Sequence, residues 1–544
     1  MMQLDSKICS RARLARDPRF DGRFFIAVLT TRIYCRPICA VRPPKEKNVR
    51  YYSTAAAAAE AGFRPCLRCR PECSPGTPAW LGTSATVSRA LRLISESALE
   101  DGGVDSLAAR LGIGSRHLRR LFLQHIGATP IAIAQTRRLH FAKKLLDETN
   151  LAMQELAFAS GFGSVRRFNT TFQKTYGRTP THIRHLARRA PAEERHEYRF
   201  LLRFRPPFDW GGLLGFLAPR ATPGVEVVEH PVYRRTFRLE KHIGWLEATL
   251  EEPASAVGLR IHFPDPRSLF LIVERARRLF DLSADPQEIA QQLGSDPLLA
   301  RRISARPGLR VPGAWDGFEL AVRAILGQQV TVRGATTLTG RLVREFGTPL
   351  TSNRGLTHVF PDAAALADAD VGRIGLPRAR AHTIRSLARA VTNGDVSFST
   401  SANIEDFLER FLRLPGIGDW TAQYVAMRAL GEPDAFPAAD LGLLRASGLR
   451  SPRALEALSQ SWRPWRSYAA MYLWQTNRID GGRASSPVRS ATTNHVGTGA
   501  TRKPALSLSK GPPSAARNSL QELRPLVTQA AKRRNSLAQP VNAG

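Results

Sequence analysis

The sequence predicts a multidomain, mainly α-helical protein that contains one small α+β unit. Three observations support this fold class. The chain has 544 residues, which is far more than one domain usually holds. Apolar residues recur with the spacing of helix faces along most of the chain, whereas a short stretch near residue 230 alternates as strands do. All six cysteines lie within residues 1–78, which marks this segment as a separate unit.

The net charge indicates a polyanionic partner. With 79 Lys and Arg against 46 Asp and Glu, the chain carries a formal charge of +33, which suits double-stranded DNA. The alternative is that the charge only keeps the protein soluble. The sequence has no apolar run long enough to span a bilayer, and its first residues lack the apolar core of a secretory signal. We therefore expect a cytoplasmic protein with reduced cysteines.

The first unit, residues 1–78, carries two cysteine pairs with metal-ligand spacing. Cys35 and Cys39 form a C-x3-C pair, and Cys66 and Cys69 form a C-x2-C pair. Two such pairs suit a tetrahedral zinc ion, because each pair approaches the ion from its own turn. A chance set of reduced thiols and a disulfide are the alternatives.

The surrounding sequence resembles the methyl-acceptor domain of the Ada family. The similarity lies in TTRIYCRPICAVRPPKEKNVRYY and AAAAAEAGFRPCLRC. It implies that Cys35 accepts a methyl group from a DNA phosphotriester and that Thr31 and Arg42 lie near the DNA backbone. A zinc-bound thiolate is a nucleophile at neutral pH, and its methylation removes a negative charge facing phosphate. Arg32 stands where the family commonly has glycine, and a purely structural zinc site is the alternative.

The second unit, residues 84–188, contains two copies of a helix, a glycine turn and a basic helix. The first copy runs from Leu107 to Phe122, and the second has its basic helix from about Ser164. Linked by QTRRLHFAKKLLDE, they resemble the paired helix-turn-helix domain of AraC-type regulators, in which the second helix enters the major groove. The alternative for single residues is a solvated basic face. The candidate DNA contacts are Arg116, His117, Arg119, Arg166 and Arg167.

The rest of the chain divides into three parts. Residues 198–268 form the α+β unit, in which VEVVEHPVYRRTFRL alternates apolar and polar residues. Residues 269–482 have helical periodicity interrupted by Pro-Gly turns, which predicts an all-α domain. Residues 484–544 are rich in Ser, Ala, Thr, Pro and Gly, and we expect them to be disordered.

The strongest motif is LPGIGDWTA in the all-α unit. Its turn predicts a helix-hairpin-helix, in which the backbone N–H groups around Gly416 and Gly418 bind phosphate at a helix N-terminus. A plain helix cap is the alternative. Downstream, DAFPAADLGLLRA places Asp440 at the start of a helix, where it is either a catalytic carboxylate or only an N-cap.

Hairpin, loop and aspartate together resemble the helix-hairpin-helix DNA glycosylases, and residues 198–480 resemble the AlkA family within them. FRPPFDWGGLLGFLAPRA opens the α+β unit, which the family builds as a TATA-binding-protein-like subdomain. The resemblance implies that Asp440 is catalytic and Gln329 wedges into the duplex. Gln329 and Leu441 depart from the family's Leu and Tyr. The residues that would line a pocket for a flipped alkylated base are Phe216, Trp420, Tyr424 and Trp474.

The combined interpretation is DNA alkylation repair with transcriptional regulation. The expected enzyme is a 3-methyladenine DNA glycosylase of type II. Because Trp420 replaces the lysine of the lyases, we expect it to use water and leave an abasic site. The expected second activity is methyl transfer to Cys35, and the expected partners are operator DNA and RNA polymerase. Without a Pro-Cys-His-Arg motif, O6-methylguanine repair is not expected.

Two rival interpretations remain. One is an alkylation-responsive regulator with an inactive glycosylase scaffold, which would bind promoters without releasing bases. The other is an endonuclease of the same superfamily, which Trp420 and the missing C-terminal four-cysteine cluster disfavour.

Overall fold

The structure is a computed structural model that describes residues 5–75, 85–95, 103–186, 196–350, 354–398 and 404–476. The expected tail at 484–544 and the expected limits near residues 78 and 188 lie outside the described residues. Among the described helices, none has both the length and the apolar character that crossing a membrane requires.

The cysteine-bearing segment is a small four-stranded sheet with a helix before it and a helix inserted between its last two strands. Its elements are α1 (Ser6–Ala15), β1 (Phe25–Val28), β2 (Ile33–Cys35), β3 (Val49–Tyr52), α2 (Ala55–Glu60) and β4 (Arg64–Pro65). The strand order is β3-β1-β2-β4, and only the β2–β4 pair is parallel. Because β2 ends at Cys35 and β4 leads into Cys66, this parallel pair brings the two cysteine pairs together.

The next segment has the two expected helix-turn-helix units around one long helix. Its helices are α3 (Ala85–Ser95), α4 (Gly103–Arg110), α5 (Ser115–Ile126), α6 (Pro130–Glu148), α7 (Met153–Ala159), α8 (Val165–Tyr176) and α9 (Pro180–Leu186). Ser164 caps α8 by accepting a hydrogen bond from the backbone of Arg167. Phe168 and Phe172 lie one turn apart on α8 and are fully buried, so the arginines of this helix face solvent.

An antiparallel five-stranded sheet forms the α+β unit. Its elements are β5 (Glu197–Arg203), α10 (Trp210–Leu217), β6 (Glu226–Glu229), β7 (Val232–Leu239), β8 (His242–Glu251) and β9 (Ala256–His262), in the strand order β5-β9-β8-β7-β6. Buried Arg235 of β7 pairs with Glu319 at 2.7 Å. This ion pair joins the sheet to the helices that follow.

The last segment is mainly helical, as expected. Its helices are α11 (Leu269–Leu279), α12 (Pro286–Leu293), α13 (Pro297–Ala305), α14 (Gly317–Leu326), α15 (Val332–Phe346), α16 (Ala363–Ala367), α17 (Arg378–Thr392), α18 (Ile404–Leu412), α19 (Asp419–Arg428), α20 (Leu441–Ser447), α21 (Pro452–Ser459) and α22 (Arg466–Thr476). A pair of two-residue strands, β10 (Thr348–Pro349) and β11 (His358–Val359), adds a feature that helical periodicity did not predict.

Two apolar cores support this segment. One combines α20 and α22 with the five-stranded sheet, and the other packs α14, α15 and α17 against α19. Aromatic residues of α10, α19 and α22 meet where the two cores adjoin.

The cysteine-bearing segment packs directly on α6. The hydroxyl of Tyr34 lies 3.0 Å from Nε2 of His140, and Arg70 pairs with Asp147 at 2.8 Å. Helix α6 in turn contacts the sheet, because Nζ of Lys144 donates to the carbonyl of Leu201 at 2.8 Å. The described residues thus belong to one compact unit of the chain.

Candidate functional site

Asp440 caps helix α20 and has its carboxylate held from three directions. Oδ1 accepts hydrogen bonds from the backbone N–H of Leu443 at 3.0 Å and from the indole Nε1 of Trp474 at 2.8 Å. Oδ2 accepts a hydrogen bond of 2.9 Å from the indole Nε1 of Trp420. The aspartate is therefore an N-cap and also lies beside aromatic side chains, so its capping role is observed and its catalytic role stays a prediction.

The four predicted pocket aromatics lie together. The rings of Trp420 and Tyr424 are stacked, with centroids 5.3 Å apart and planes 5° apart. The rings of Phe216 and Trp474 are 6.1 Å apart, and Tyr424 meets Trp474 edge to face at 6.2 Å. Phe216 is buried, whereas the other three are partly exposed. Such rings present electron-rich faces to a planar or cationic ligand beside the Asp440 carboxylate.

Sequence analysis missed Arg428, which lies behind these rings and is only 4% exposed. Its guanidinium donates to the carbonyls of Pro312 and Gly313 and, at 2.7 Å, to the hydroxyl of Tyr424. It also lies over the ring of Phe216, 5.2 Å from its centroid. The spacing of four residues between Tyr424 and Arg428 on α19 was the only sequence signal for this contact.

The charge of Arg428 affects Tyr424. Burial alone raises the pKa of the Tyr424 phenol, but the nearby guanidinium groups of Arg428 and Arg220 outweigh this effect and leave the pKa below its usual value.

The hairpin turn joins α18 to α19 as the motif predicts. Gly416 has a φ of +79°, and a side chain there would overlap the hydroxyl of Thr383 on α17. Gly418 has open space around it, and both glycines are exposed. The carbonyl of Gly416 accepts a hydrogen bond of 3.0 Å from the side chain of Gln328. The first N–H groups of α19 therefore face an exposed turn, where a phosphate is attracted.

The two residues that depart from the AlkA family are both exposed beside this site. Gln329 follows Gln328 in the turn between α14 and α15 and has a left-handed φ of +57°. Leu441 follows Asp440 and is 67% exposed.

The four predicted metal ligands form one cluster. The sulfur atoms of Cys35, Cys39, Cys66 and Cys69 all lie within 4.8 Å of one another. Tetrahedral zinc with bonds of about 2.3 Å needs sulfur atoms about 3.8 Å apart, so this donor set fits zinc. Cys9 and Cys73 lie outside the cluster and are buried.

Arg36 stabilises the cluster from the side. Its backbone N–H donates to the sulfur of Cys69 at 3.3 Å, and its guanidinium donates to the Cys69 carbonyl at 3.1 Å. The same guanidinium pairs with buried Asp21, with a distance of 2.8 Å from Nε. Arg36 therefore links the cysteine cluster to Asp21, and these contacts hold the Cys69 backbone and sulfur in place.

The predicted backbone contacts Thr31 and Arg42 are exposed near the cluster in sequence. Arg32 has a left-handed φ of +55°, a conformation that glycine adopts without steric cost. Its guanidinium lies 4.8 Å above the ring of Phe63, a contact that compensates part of the backbone strain.

The candidate base and phosphate contacts of the helix-turn-helix units are also exposed. Three lie on α5 and two on α8, the second helix of each unit. They are Arg116, His117, Arg119, Arg166 and Arg167. The structure places them on two separate helices, one in each helix-turn-helix unit.

Four family descriptions match the chain. They are the metal binding domain of Ada at residues 8–72, a helix-turn-helix domain at 107–185, the AlkA N-terminal domain at 199–316, and the HhH-GPD superfamily of base excision DNA repair proteins at 322–450. The first match and the four-sulfur donor set identify the cysteine cluster as a zinc site.

Individual relatives match most of the chain, about half of it or about a third of it. A probable bifunctional transcriptional activator/DNA repair enzyme AlkA of Mycobacterium tuberculosis is 44% identical over 489 residues, which cover 87% of this chain and 97% of that protein. DNA-3-methyladenine glycosylase 2 of Escherichia coli is 33% identical and covers 51% of this chain and 97% of its own length. The bifunctional transcriptional activator/DNA repair enzyme AdaA of Bacillus subtilis is 33% identical, covering 33% of this chain and 82% of its own length.

Proposed function

Because this chain belongs to the family of AlkA bifunctional transcriptional activator/DNA repair enzymes, we propose that it excises alkylated bases from DNA and also regulates transcription in response to alkylation. The observation that carries the proposal is the carboxylate of Asp440, held by two indole N–H groups beside a cluster of aromatic rings.

In this proposal the flipped base enters between the aromatic side chains. Alkylation of a purine ring nitrogen makes the base cationic, and the faces of Trp420, Tyr424 and Trp474 attract a cation. The hairpin around Gly416 and Gly418 holds the backbone through N–H groups, and Gln329 fills the space that the base leaves.

Asp440 would act on the sugar. As the bond between the base nitrogen and C1′ breaks, positive charge develops on the sugar, and the negative carboxylate stabilises it. Water then bonds to C1′ and releases a proton, which leaves an abasic site. Trp420 and Trp474 fix the orientation of the carboxylate, and no lysine of the hairpin competes with water.

The test is release of 3-methyladenine and 7-methylguanine from methylated duplex DNA by the wild-type protein and Asp440→Asn. Asparagine still accepts a hydrogen bond and caps α20, so the variant removes the charge without unfolding the helix. We expect release to fall on the order of 10²-fold to 10³-fold or more. The matched control is Asp362→Asn, which changes an aspartate that caps α16 and lies outside the site.

Three outcomes are informative. Loss of release in Asp440→Asn alone supports the proposal. Equal loss in both variants means that the loss is not specific to the site and contradicts the proposal. No release by folded wild-type protein, combined with operator binding, favours the regulator with an inactive glycosylase scaffold.

We also propose that Cys35 is a methyl acceptor. Bound zinc keeps the sulfur ionised at neutral pH. The sulfur of Cys35 attacks the methyl carbon of a methylphosphotriester, the sulfur–carbon bond forms, and the carbon–oxygen bond breaks with its electrons left on the phosphate. Exposed Thr31 and Arg42 would hold the DNA backbone beside it.

Peptide mass spectrometry after reaction with methylphosphotriester DNA tests this second activity. The expected result is a single methyl group on Cys35. A methyl group on another cysteine would contradict the assignment, and an unmethylated protein with intact zinc would mean that the cluster is only structural. Cys73→Ser, which changes a buried cysteine outside the cluster, is the control.

We assign a separate role to each part of the chain, using the four units 1–78, 84–188, 198–268 and 269–482. The first senses methylation, the second binds operator DNA and brings RNA polymerase to it, and the last two excise bases. We propose that this occurs in the cytoplasm, where thiols stay reduced.

A further inference from the structure

One face of α15 carries a row of exposed arginines that the proposed chemistry does not use. Arg333, Thr337, Arg341 and Arg344 are exposed and are spaced by four, four and three residues, which places them on one side of the helix. The buried side of α15 carries Leu342 and Val343 instead.

Arg373 extends this row from a neighbouring turn. Together with Arg341 and Arg344 it lines a shallow cavity of about 420 Å³. Arg341 donates weakly to the carbonyl of Ile374 at 3.4 Å, which orients its guanidinium toward the cavity. We name Arg333, Arg341, Arg344 and Arg373 the arginine stripe.

The charge of the arginine stripe is mostly uncompensated. Among the described residues, Arg373 forms an exposed ion pair with Glu345 at 3.3 Å. Within the part of the chain that the structure describes, the side chains of Arg333 and Arg344 form no ion pair. Glu345 offsets one of the four charges, so the stripe still presents several positive charges to a partner.

The arginine stripe begins beside the hairpin. Gln329 lies four residues before Arg333, in the turn that leads into α15. The preceding Gln328 is bonded both to Gly416 of the hairpin and, through its carbonyl, to Arg380 at 2.8 Å. The first turn of α15 is therefore fixed next to the predicted wedge and the predicted phosphate site.

The dimensions suit a duplex that continues past the lesion. Arg333 and Arg344 are eleven positions apart, which corresponds to about 16 Å along a helix. A duplex advances about 3.4 Å for each base pair, so this length spans roughly five base pairs.

We propose that the arginine stripe binds the phosphate backbone of the DNA duplex on one side of the lesion, as a second backbone contact besides the hairpin. This inference rests on the proposed glycosylase function, because it takes the hairpin as the place where the damaged strand is held. The stripe reads no sequence and extends the length of DNA that the protein covers.

The test compares the full-length wild-type protein with R333Q/R344Q. Affinity is measured over a series of salt concentrations for duplexes that carry an abasic-site analogue. The long duplex has about 25 base pairs with the analogue at its centre, and the short duplex ends about one base pair beyond the analogue on the side of the arginine stripe. That side is found by shortening each end in turn. The control is R301Q/R453Q, which removes the same charge from two exposed positions on α13 and α21. Any contribution of the helix-turn-helix units is the same in all three proteins.

On the long duplex we expect R333Q/R344Q to bind about tenfold more weakly than wild type at low salt. Its slope of log affinity against log salt should be smaller by about 1.8, which is about 0.9 for each lost phosphate contact. On the short duplex the two proteins should bind alike. The control variant should match wild type on both.

Equal affinities and slopes on the long duplex would overturn the proposal. An equal loss on both duplexes would also overturn it, because the arginines would then act at the lesion itself. Release of 3-methyladenine by the wild-type protein tests the glycosylase function separately. If the proteins bind as expected but the wild type releases no base, the arginine stripe is supported as a DNA contact and the proposed glycosylase function is wrong.

Discussion

The indole Nε1 of Trp474 donates a 2.8 Å hydrogen bond to Oδ1 of Asp440, the oxygen that also accepts the capping N–H of α20. Trp474→Phe keeps an aromatic ring but removes this donor. We expect base release to slow about tenfold, equivalent to about 1.4 kcal/mol. Trp315→Phe is the control, because the indole N–H of buried Trp315 has no partner among the described residues. Similar slowing in both variants would mean that ring size and not the hydrogen bond matters.

Arg428→Gln should change the titration of Tyr424. The pKa of this phenol lies below its usual value of about 10 because the charge of Arg428 outweighs the effect of burial. The folded protein thus loses this proton at a lower pH than the unfolded chain does, so Tyr424 adds stability as pH rises between the two pKa values. In Arg428→Gln the pKa should rise and this gain should shrink.

Tyrosinate absorbance during a pH titration, with Tyr424→Phe subtracted, measures the titration of Tyr424. An unchanged pKa in Arg428→Gln would show that Arg220 and Arg323 provide the effect instead.

Gly416→Ala should impair the hairpin, whereas Gly418→Ala should not. The φ of +79° at Gly416 costs a side chain about 1–2 kcal/mol, and the added carbon would also overlap Thr383. Gly418 has no atom close to the position of an added carbon. Affinity for a duplex with an abasic-site analogue should fall only in Gly416→Ala. Equal loss in both variants would indicate that any added carbon blocks the phosphate.

His140→Gln should make the protein less sensitive to acid. Burial lowers the pKa of His140 to about 4. The charge of Glu72 raises this pKa and the charge of Arg137 lowers it, but both effects are smaller than that of burial. Its other close neighbour is the hydroxyl of Tyr34. In the unfolded chain the pKa of a histidine is about 6.5. Between about pH 6.5 and pH 4 the unfolded chain therefore binds a proton that the folded protein does not bind. The free energy of unfolding thus falls as pH falls through this range.

In His140→Gln the glutamine side chain can still form a hydrogen bond with the hydroxyl of Tyr34, but it does not titrate. The difference in unfolding free energy between pH 7 and pH 5 should therefore be smaller in His140→Gln than in wild type. The exposed His117→Gln variant should behave as wild type. A wild-type pH response in His140→Gln would show that other groups cause the acid sensitivity.

The sequence predicted the parts of the site that depend on local spacing. Pairs of cysteines and a Pro-Gly turn keep their geometry over a few residues, so the zinc cluster and the hairpin were recognisable. Resemblance to the AlkA family predicted the four pocket aromatics, and the structure brings all four together.

Residues whose role depends on distant backbone were missed. Arg428 is buried because carbonyls more than one hundred residues away accept its hydrogen bonds, whereas an arginine on a helix usually indicates a solvated face. Arg32 stands where the Ada family commonly has glycine, and the contact of its guanidinium with the distant ring of Phe63, which accompanies its left-handed backbone, was not predicted from the sequence.

The contact of the zinc segment with α6 constrains how the two segments evolve. Glu72, with its side chain 1% exposed, lies 3.5 Å from Lys143, and Arg70 pairs with Asp147. Losing one partner of a buried ion pair costs about 3–5 kcal/mol, so a change of charge on one side requires a matching change on the other. A sensor segment and a helix-turn-helix segment joined in this way no longer diverge as independent genes do, and selection on either one also acts on its neighbour.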